Sequence, residues 1–261
     1  MPGTLTDQIG NTVNIPTPPR RIVSVVPSQT ELLFDLGLVD SIAGITKFCV
    51  HPSSAKSIKA IVGGTKNLRL EQIAALEPDL IVANKEENDR EQIEWLKTRF
   101  PTYTSDVRCL EHALSMISDL GCITETDAIA GEIIRSIANR FEAVTPYTRR
   151  PTVAYLIWKN PWMTVNKDTF IHDMLHRAGF NNVFADKMES RYPVVRESEL
   201  QTVSPDFIFL SSEPFPFNES HEREMAALAP NSRVFKADGE MFSWYGSRLR
   251  QFNTNLIHEI S

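Results

Sequence analysis

Two segments of this chain follow one pattern, and that repetition restricts the fold more than any other feature. LEQIAALEPDLIVANKEEN (residues 70–88) and SELQTVSPDFIFLSSEPF (residues 198–215) each run from an acidic helix start through a Pro-Asp pair into a short apolar strand, then into a polar loop containing acid. Pro78-Asp79 and Pro205-Asp206 fix the register. Upstream, LFDLGLVDSIAG and MLHRAGFNNVFAD share a helix closing on a glycine, Gly37 and Gly179, with the same spacing beyond it. A β-branched run opens each half, RIVSVV at 21–26 and TVAYLIW at 152–158. Strands alternating with helices predict an α/β fold of two lobes with mostly parallel central sheets.

Between the halves lies the longest helical pattern. From Thr124 to Val144, the residues Ile129, Ile133, Ile137, Phe141 and Val144 recur at steps of four and three, one stripe of a helix. Thr124 with Asp127 resembles a capping box, and Pro146 limits the far end. The predicted organisation is an N-terminal lobe over 1–122, a connecting backbone helix over 123–146 and a C-terminal lobe over 147–261, with a ligand cleft between the lobes. Gly10-Asn11 predicts a hairpin in an edge segment, and a last helix is expected from about Ser247 to Ile260.

Composition excludes several classes. The formal net charge is -6 with no basic block, so nucleic acid is not an expected partner. No apolar run approaches the roughly 20 residues needed to span a bilayer. The first 21 residues, MPGTLTDQIGNTVNIPTPPRR, lack the apolar core of a signal peptide. The expectation is either a cytoplasmic protein or an export segment outside this chain. Cys49, Cys109 and Cys122 show no CxxC spacing and suggest neither disulfides nor a zinc site.

In open parallel sheets, ligands sit beyond the carboxyl ends of the strands. The loops expected there carry Phe48, Trp158, Trp162, Tyr192, Phe215, Phe242 and Trp244, whose faces suit a flat, partly apolar ligand. Trp162 and Tyr192, among polar and proline neighbours, are favoured for ligand contact. Trp158 and Phe242 are the members most suited to packing. Lys66, Lys85, Glu240 and Arg248 are the candidate polar contacts, and these three cations are what an anionic chelate would use. His51 could ligate a metal centre in a bound ligand. His172 and His176 stand four apart, but Asp173 replaces the glutamate of HExxH and the helix is the counterpart of 30–36, a packing element. There is no GxSxG, P-loop or dinucleotide fingerprint, so no enzyme activity and no resident cofactor or metal are expected.

RIVSVVPSQTELLFDLGL with VGGTKNLRLEQIAALEPDLIVAN, and TVAYLIWKNPWMTVNKDTFIHDMLHRAGFNNVFAD through SPDFIFL, resemble the helical-backbone substrate-binding proteins of ATP-binding-cassette (ABC) importers. The cobalamin-binding branch is nearest, and ferric-siderophore and haem binders are cousins. The resemblance implies a monomer that captures a cobalamin-like ligand and delivers it to a permease–ATPase complex, meeting the membrane only through that permease. It implies a periplasmic or cell-envelope location. It also assigns Glu71, and Glu199 in the second lobe, to docking on the transporter. Thr65 and Asn84 stand where the cobalamin branch carries tryptophans. The alternatives are a binder of ferric siderophore, haem or another metal chelate, or a cytoplasmic sensor or enzyme on the same scaffold.

Overall fold

Each Pro-Asp pair anchors the start of a strand. In the computed structural model, which describes residues 2–16, 18–142 and 150–260, the Asp79 carboxylate accepts from the backbone N–H of Arg20 at 2.7 Å and of Arg21 at 2.8 Å. Asp206 accepts from the N–H and hydroxyl of Thr152, both at 2.8 Å. Glu77 (φ 46°) and Ser204 (φ 44°) turn left-handed just before the two prolines. Gly37 and Gly179 terminate matching helices. Each donates to the third carbonyl back, and the next N–H donates to the fifth, the paired bonds of a glycine C-terminal cap. These matches are local chemistry repeated in kind, and they support a duplicated unit.

The described residues form two compact units. The first comprises Met1–Val107, Glu111–Ala138 and Tyr245–Arg250; the second comprises Arg108–Leu110, Asn139–Trp244 and Gln251–Ser261. In the first, β1 (Pro2–Thr6) and β2 (Thr12–Pro16) form the antiparallel hairpin expected at Gly10. Then follow β3 (Ile22–Ser24), α1 (Pro27–Asp35), β4 (Ile42–Ile45), α2 (Ala55–Ile58) and β5 (Ala60–Ile61). A small hairpin, β6 (Gly63–Gly64) and β7 (Asn67–Leu68), leads to α3 (Leu70–Ala75), β8 (Leu80–Asn84), α4 (Arg90–Lys97) and β9 (Thr102–Ser105). The central sheet has the order β5-β4-β3-β8-β9, parallel throughout. Helices α5 (Leu110–Ile123) and α6 (Asp127–Glu142) follow.

The second unit repeats the plan. It contains β10 (Thr152–Leu156), α7 (Phe170–Arg177), β11 (Asn181–Asn182), α8 (Glu197–Val203), β12 (Phe207–Ser211), α9 (Glu219–Leu228), β13 (Arg233–Ala237), α10 (Gly239–Ser243) and α11 (Leu256–Ile260). Its parallel order is β11-β10-β12-β13, the same sequence of strands as β4-β3-β8-β9. Strands β8 and β12 are buried at every residue, as expected of parallel strands covered on both faces.

The connecting helix differs in detail from its expectation. Thr124 is buried and its hydroxyl donates to the Leu120 carbonyl at 2.6 Å, so it closes α5 and does not open α6. Helix α6 begins at Asp127. Its buried stripe is Ala130, Ile133 and Ile137, and Ile129 is exposed. A Cβ at Gly121 would fall 2.4 Å from that of Ala130, so the glycine permits the two helices to meet closely. Phe141 stacks on Phe252 at 4.9 Å. Val144 and Pro146 lie outside the described residues. The division between the units falls inside α6, after Ala138. The expected helix over 247–260 is two pieces, a 3-10 turn (Ser247–Gln251) and α11. Residues 245–250 pack with the first unit, although the sequence placed them in the second lobe.

Candidate ligand-binding site

In the first unit, Asn84 ends β8 and shapes the loop beyond it. Its carboxamide oxygen accepts from the N–H groups of Glu86 (2.8 Å) and Glu87 (3.0 Å), and its nitrogen donates to Ser105 Oγ at 3.0 Å. Asn88 donates to the carbonyls of Val25 (3.0 Å) and Thr65 (3.1 Å), tying this loop to the end of β3 and to the small hairpin. Asn84 and Asn88 are therefore buried loop formers. Phe48, in the loop after β4, is 50% exposed, with exposed Val50 beside it in sequence. Its ring rests against Gly64, where a Cβ would come within 3.1 Å. His51 precedes Pro52 in the same loop and is half-buried near Glu31.

The late segment 245–250 crosses this carboxyl edge. Tyr245 donates its hydroxyl to Glu87 at 2.7 Å. Arg248 makes a two-point pair with Glu31, both bonds 2.9 Å, and Arg250 pairs with Asp35 at 2.6 Å. Gly246 (φ 135°) fits there because it lacks a side chain, since a Cβ would sit 3.1 Å from the Ser28 carbonyl oxygen. Burial raises the Glu31 carboxyl above its ordinary value, against the opposing pull of Arg248. Burial, then the charge of Glu87, raises the Tyr245 phenol. The expected cations are all engaged here: Arg248 with Glu31, Lys85 with Asp106 at 2.9 Å, and Lys66 with the backbone carbonyls of Glu86 and Asn88.

In the second unit the chain beyond β10 folds back on itself. Trp158 bridges Met163 and Met163 bridges Val194, both antiparallel. Residues opposite one another in antiparallel pairs point to one face, so Trp158, Met163 and Val194 share a side. Trp158 is 40% exposed, Val194 is exposed, and the half-buried Phe215 meets Trp158 edge-on at 5.4 Å. Together they are an apolar platform turned outward. Tyr192 is half-buried in the neighbouring segment.

Three candidate contacts lie in the core, Phe242 in the packing role expected of it and two tryptophans against expectation. Trp162 is 6% exposed and stacks on Phe217 (6.0 Å, 6° between planes) among Leu156, Leu200 and Leu210. Its ring faces inward because the turn at 159–162 carries it to the opposite side from Trp158, reversing the roles expected for the two tryptophans. Phe242 is fully buried against Tyr155, Phe209 and Phe252. Trp244 is buried and its indole N–H donates to Glu213 at 2.9 Å. Glu240 is half-buried in the first turn of α10, its N–H bonded to the cap Asp238.

Glu213 holds both Ser243 and Trp244, and burial raises its carboxyl above the ordinary range. A carboxyl raised on folding adds stability when protonated, and that contribution is lost as pH rises through the folded value. Glu213→Gln is therefore expected to raise the unfolding midpoint at pH 8, with the gain shrinking as pH falls. A variant whose gain grows toward acid pH would contradict this sign. Sequence reasoning missed a further cluster. Arg108 and Arg191 both close on Asp168, at 3.2 and 3.0 Å, and two arginines so far apart in the sequence gave no motif to read.

Glu71 is exposed in the first turn of α3. Glu199 does not match it. Its carboxylate accepts from the Arg196 N–H at 2.8 Å and pairs with Lys187 at 2.7 Å, and the Lys187 bond holds its carboxyl below the ordinary value. Glu197 is the exposed acid of that turn. Among the described residues no cluster of three or more His, Cys, Asp or Glu could hold a metal ion, and no helix is long and apolar enough to cross a membrane.

Two repeated parallel α/β units with loop-borne aromatics at the strand ends define a solute-binding architecture, and the chain belongs to the periplasmic binding protein family, whose model matches residues 22–228. A vitamin B12-binding protein of Vibrio campbellii is 27% identical over 198 residues, covering 74% of this chain and 71% of that protein. An uncharacterised ABC transporter substrate-binding lipoprotein of Bacillus subtilis is 24% identical over 218 residues, covering 79% and 68%. A periplasmic heme-binding protein from Roseiflexus sp. RS-1 shares the fold with a TM-score of 0.78 at 18% identity, over 91% of this chain and 96% of that one.

Proposed function

We propose that this chain is the substrate-binding component of an ABC importer, acting as an extracytoplasmic monomer that takes up a corrinoid-like ligand. The observation that carries this reading is the outward apolar platform of Trp158, Met163, Val194 and Phe215. A bare tryptophan beside an aromatic edge suits a wide ring system with a partly apolar face. The pairing of Lys85 and Arg248 with acids favours a ligand of low net charge over a strongly anionic siderophore. The vitamin B12-binding and ABC transporter relatives point the same way.

Cyanocobalamin is expected to quench the tryptophan fluorescence and to raise the melting temperature in proportion to the logarithm of its concentration. No response to it, with a clear response to a small chelate, would refute the corrinoid reading. A second reading is a carboxylate-bearing tetrapyrrole such as haem. It is favoured by one observation, the two guanidinium groups that Arg108 and Arg191 bring together at Asp168.

Delivery requires a docking face, and Glu71 with Glu197 is proposed for it. Both are exposed in the first turns of helices that lead into the two Pro-Asp units. Reversing both to lysine is expected to leave folding within about 0.5 kcal/mol and ligand affinity unchanged, and to cut uptake through the cognate transporter at least tenfold. Exposed charges steer association more than they stabilise the fold that bears them. Unchanged uptake would remove the docking role.

A further inference from the structure

We propose that Glu31 is a specificity residue: by closing on Arg248 it cancels the guanidinium that the strand-end loops of the first unit would otherwise offer to an anionic ligand. The inference deepens the reading above. Helix α1 starts three residues after β3 ends, so Glu31, in its second turn, stands at the carboxyl edge of the sheet. Arg248 arrives there on the 245–250 segment, fixed by Tyr245 on Glu87 and by Arg250 on Asp35. The Nε and Nη2 atoms of Arg248 each bond one carboxylate oxygen of Glu31 at 2.9 Å. The two side chains are only 16% and 13% exposed, so water screens the pair weakly.

Guanidinium in such a fork is the natural recogniser of carboxylate or sulfonate on a ligand. Here that capacity is met from within. Of the neighbouring charges, Arg250 pairs with Asp35, Lys85 pairs with Asp106, Lys66 is tied to the carbonyls of Glu86 and Asn88, and Glu86 and Glu87 add negative charge. The sequence, which counted Arg248 among cations for an anionic chelate, carries in Glu31 the residue that withdraws it.

The test uses the full chain with three probes: haemin, the anionic dye 8-anilinonaphthalene-1-sulfonate, and cyanocobalamin. Glu31→Gln is expected to bind haemin and the dye at least tenfold more tightly than the unmodified protein, and the gain should vanish in Glu31→Gln with Arg248→Gln. In Glu31→Gln the gain for haemin should exceed any gain for cyanocobalamin, which carries no carboxylate, by at least tenfold. Equal affinities for the anionic probes, or a gain that survives loss of Arg248, would overturn the proposal. If Glu31→Gln does not fold, Arg248→Gln alone decides. It leaves Glu31 uncancelled and should bind haemin at least tenfold more weakly than the unmodified protein, whereas equal binding overturns the proposal. The outcomes separate the two claims. A protein that ignores cyanocobalamin yet shows the Glu31→Gln gain refutes the corrinoid reading alone. One that binds cyanocobalamin without that gain refutes this inference alone.

Discussion

Replacing Phe242 by alanine is expected to destabilise the second unit by about 3–5 kcal/mol, the usual cost of emptying a buried phenylalanine site. The ring is fully buried and meets Tyr155 at 5.3 Å, Phe209 at 6.2 Å and Phe252 at 6.0 Å, so the cavity would open where α10, β10, β12 and the segment before α11 converge. Phe252 in turn stacks on Phe141 of α6. The lining is aromatic and rigid, which limits collapse into the void. Urea unfolding followed by circular dichroism would show the loss as a lower midpoint. A loss under about 1 kcal/mol would mean that Phe242 is not a core residue.

Trp158→Ala is expected to do the reverse. Its indole is 40% exposed, so folding should change little, within about 0.5 kcal/mol for a surface site. Ligand affinity should fall by about 30- to 150-fold, the roughly 2–3 kcal/mol typical of an aromatic anchor. Trp162→Ala provides the contrast. It removes a buried ring stacked on Phe217, and should unfold the protein more readily before it alters the ligand face. Equal ligand affinity in Trp158→Ala and the unmodified protein would show that the platform is not the contact surface.

The repeat was legible because its signals are local. A glycine at a helix end and an aspartate after proline act within a few residues or on one neighbouring strand, and both appear twice in the chain. The 245–250 segment was not legible, since Tyr245 finds Glu87 158 positions away and Arg248 finds Glu31 217 positions away. The second lobe was drawn as everything after the connecting helix, 147–261, whereas three polar ties place the segment on the first unit. The tryptophans were exchanged for a related reason. Lys159, Asn160 and Pro161 made Trp162 look exposed, but those residues form the turn, and the bridge from Trp158 to Met163 decides which face each ring takes. Strands β5, β6, β7 and β11 have two residues each, too few to show a period. Glu199 misled because an acid in a helix's first turn serves equally for docking or for capping, and only its bonds to Arg196 and Lys187 separate the two.

The central claim, a wide corrinoid-like ligand held on an apolar platform, is tested most directly by calorimetric titration of the protein with cyanocobalamin. The account predicts one site per chain and a negative heat-capacity change, since burial of apolar surface carries that signature. It also predicts loss of most of the affinity in Trp158→Ala. A flat titration with cyanocobalamin, beside saturable binding of a small oxyanion such as molybdate, would contradict it.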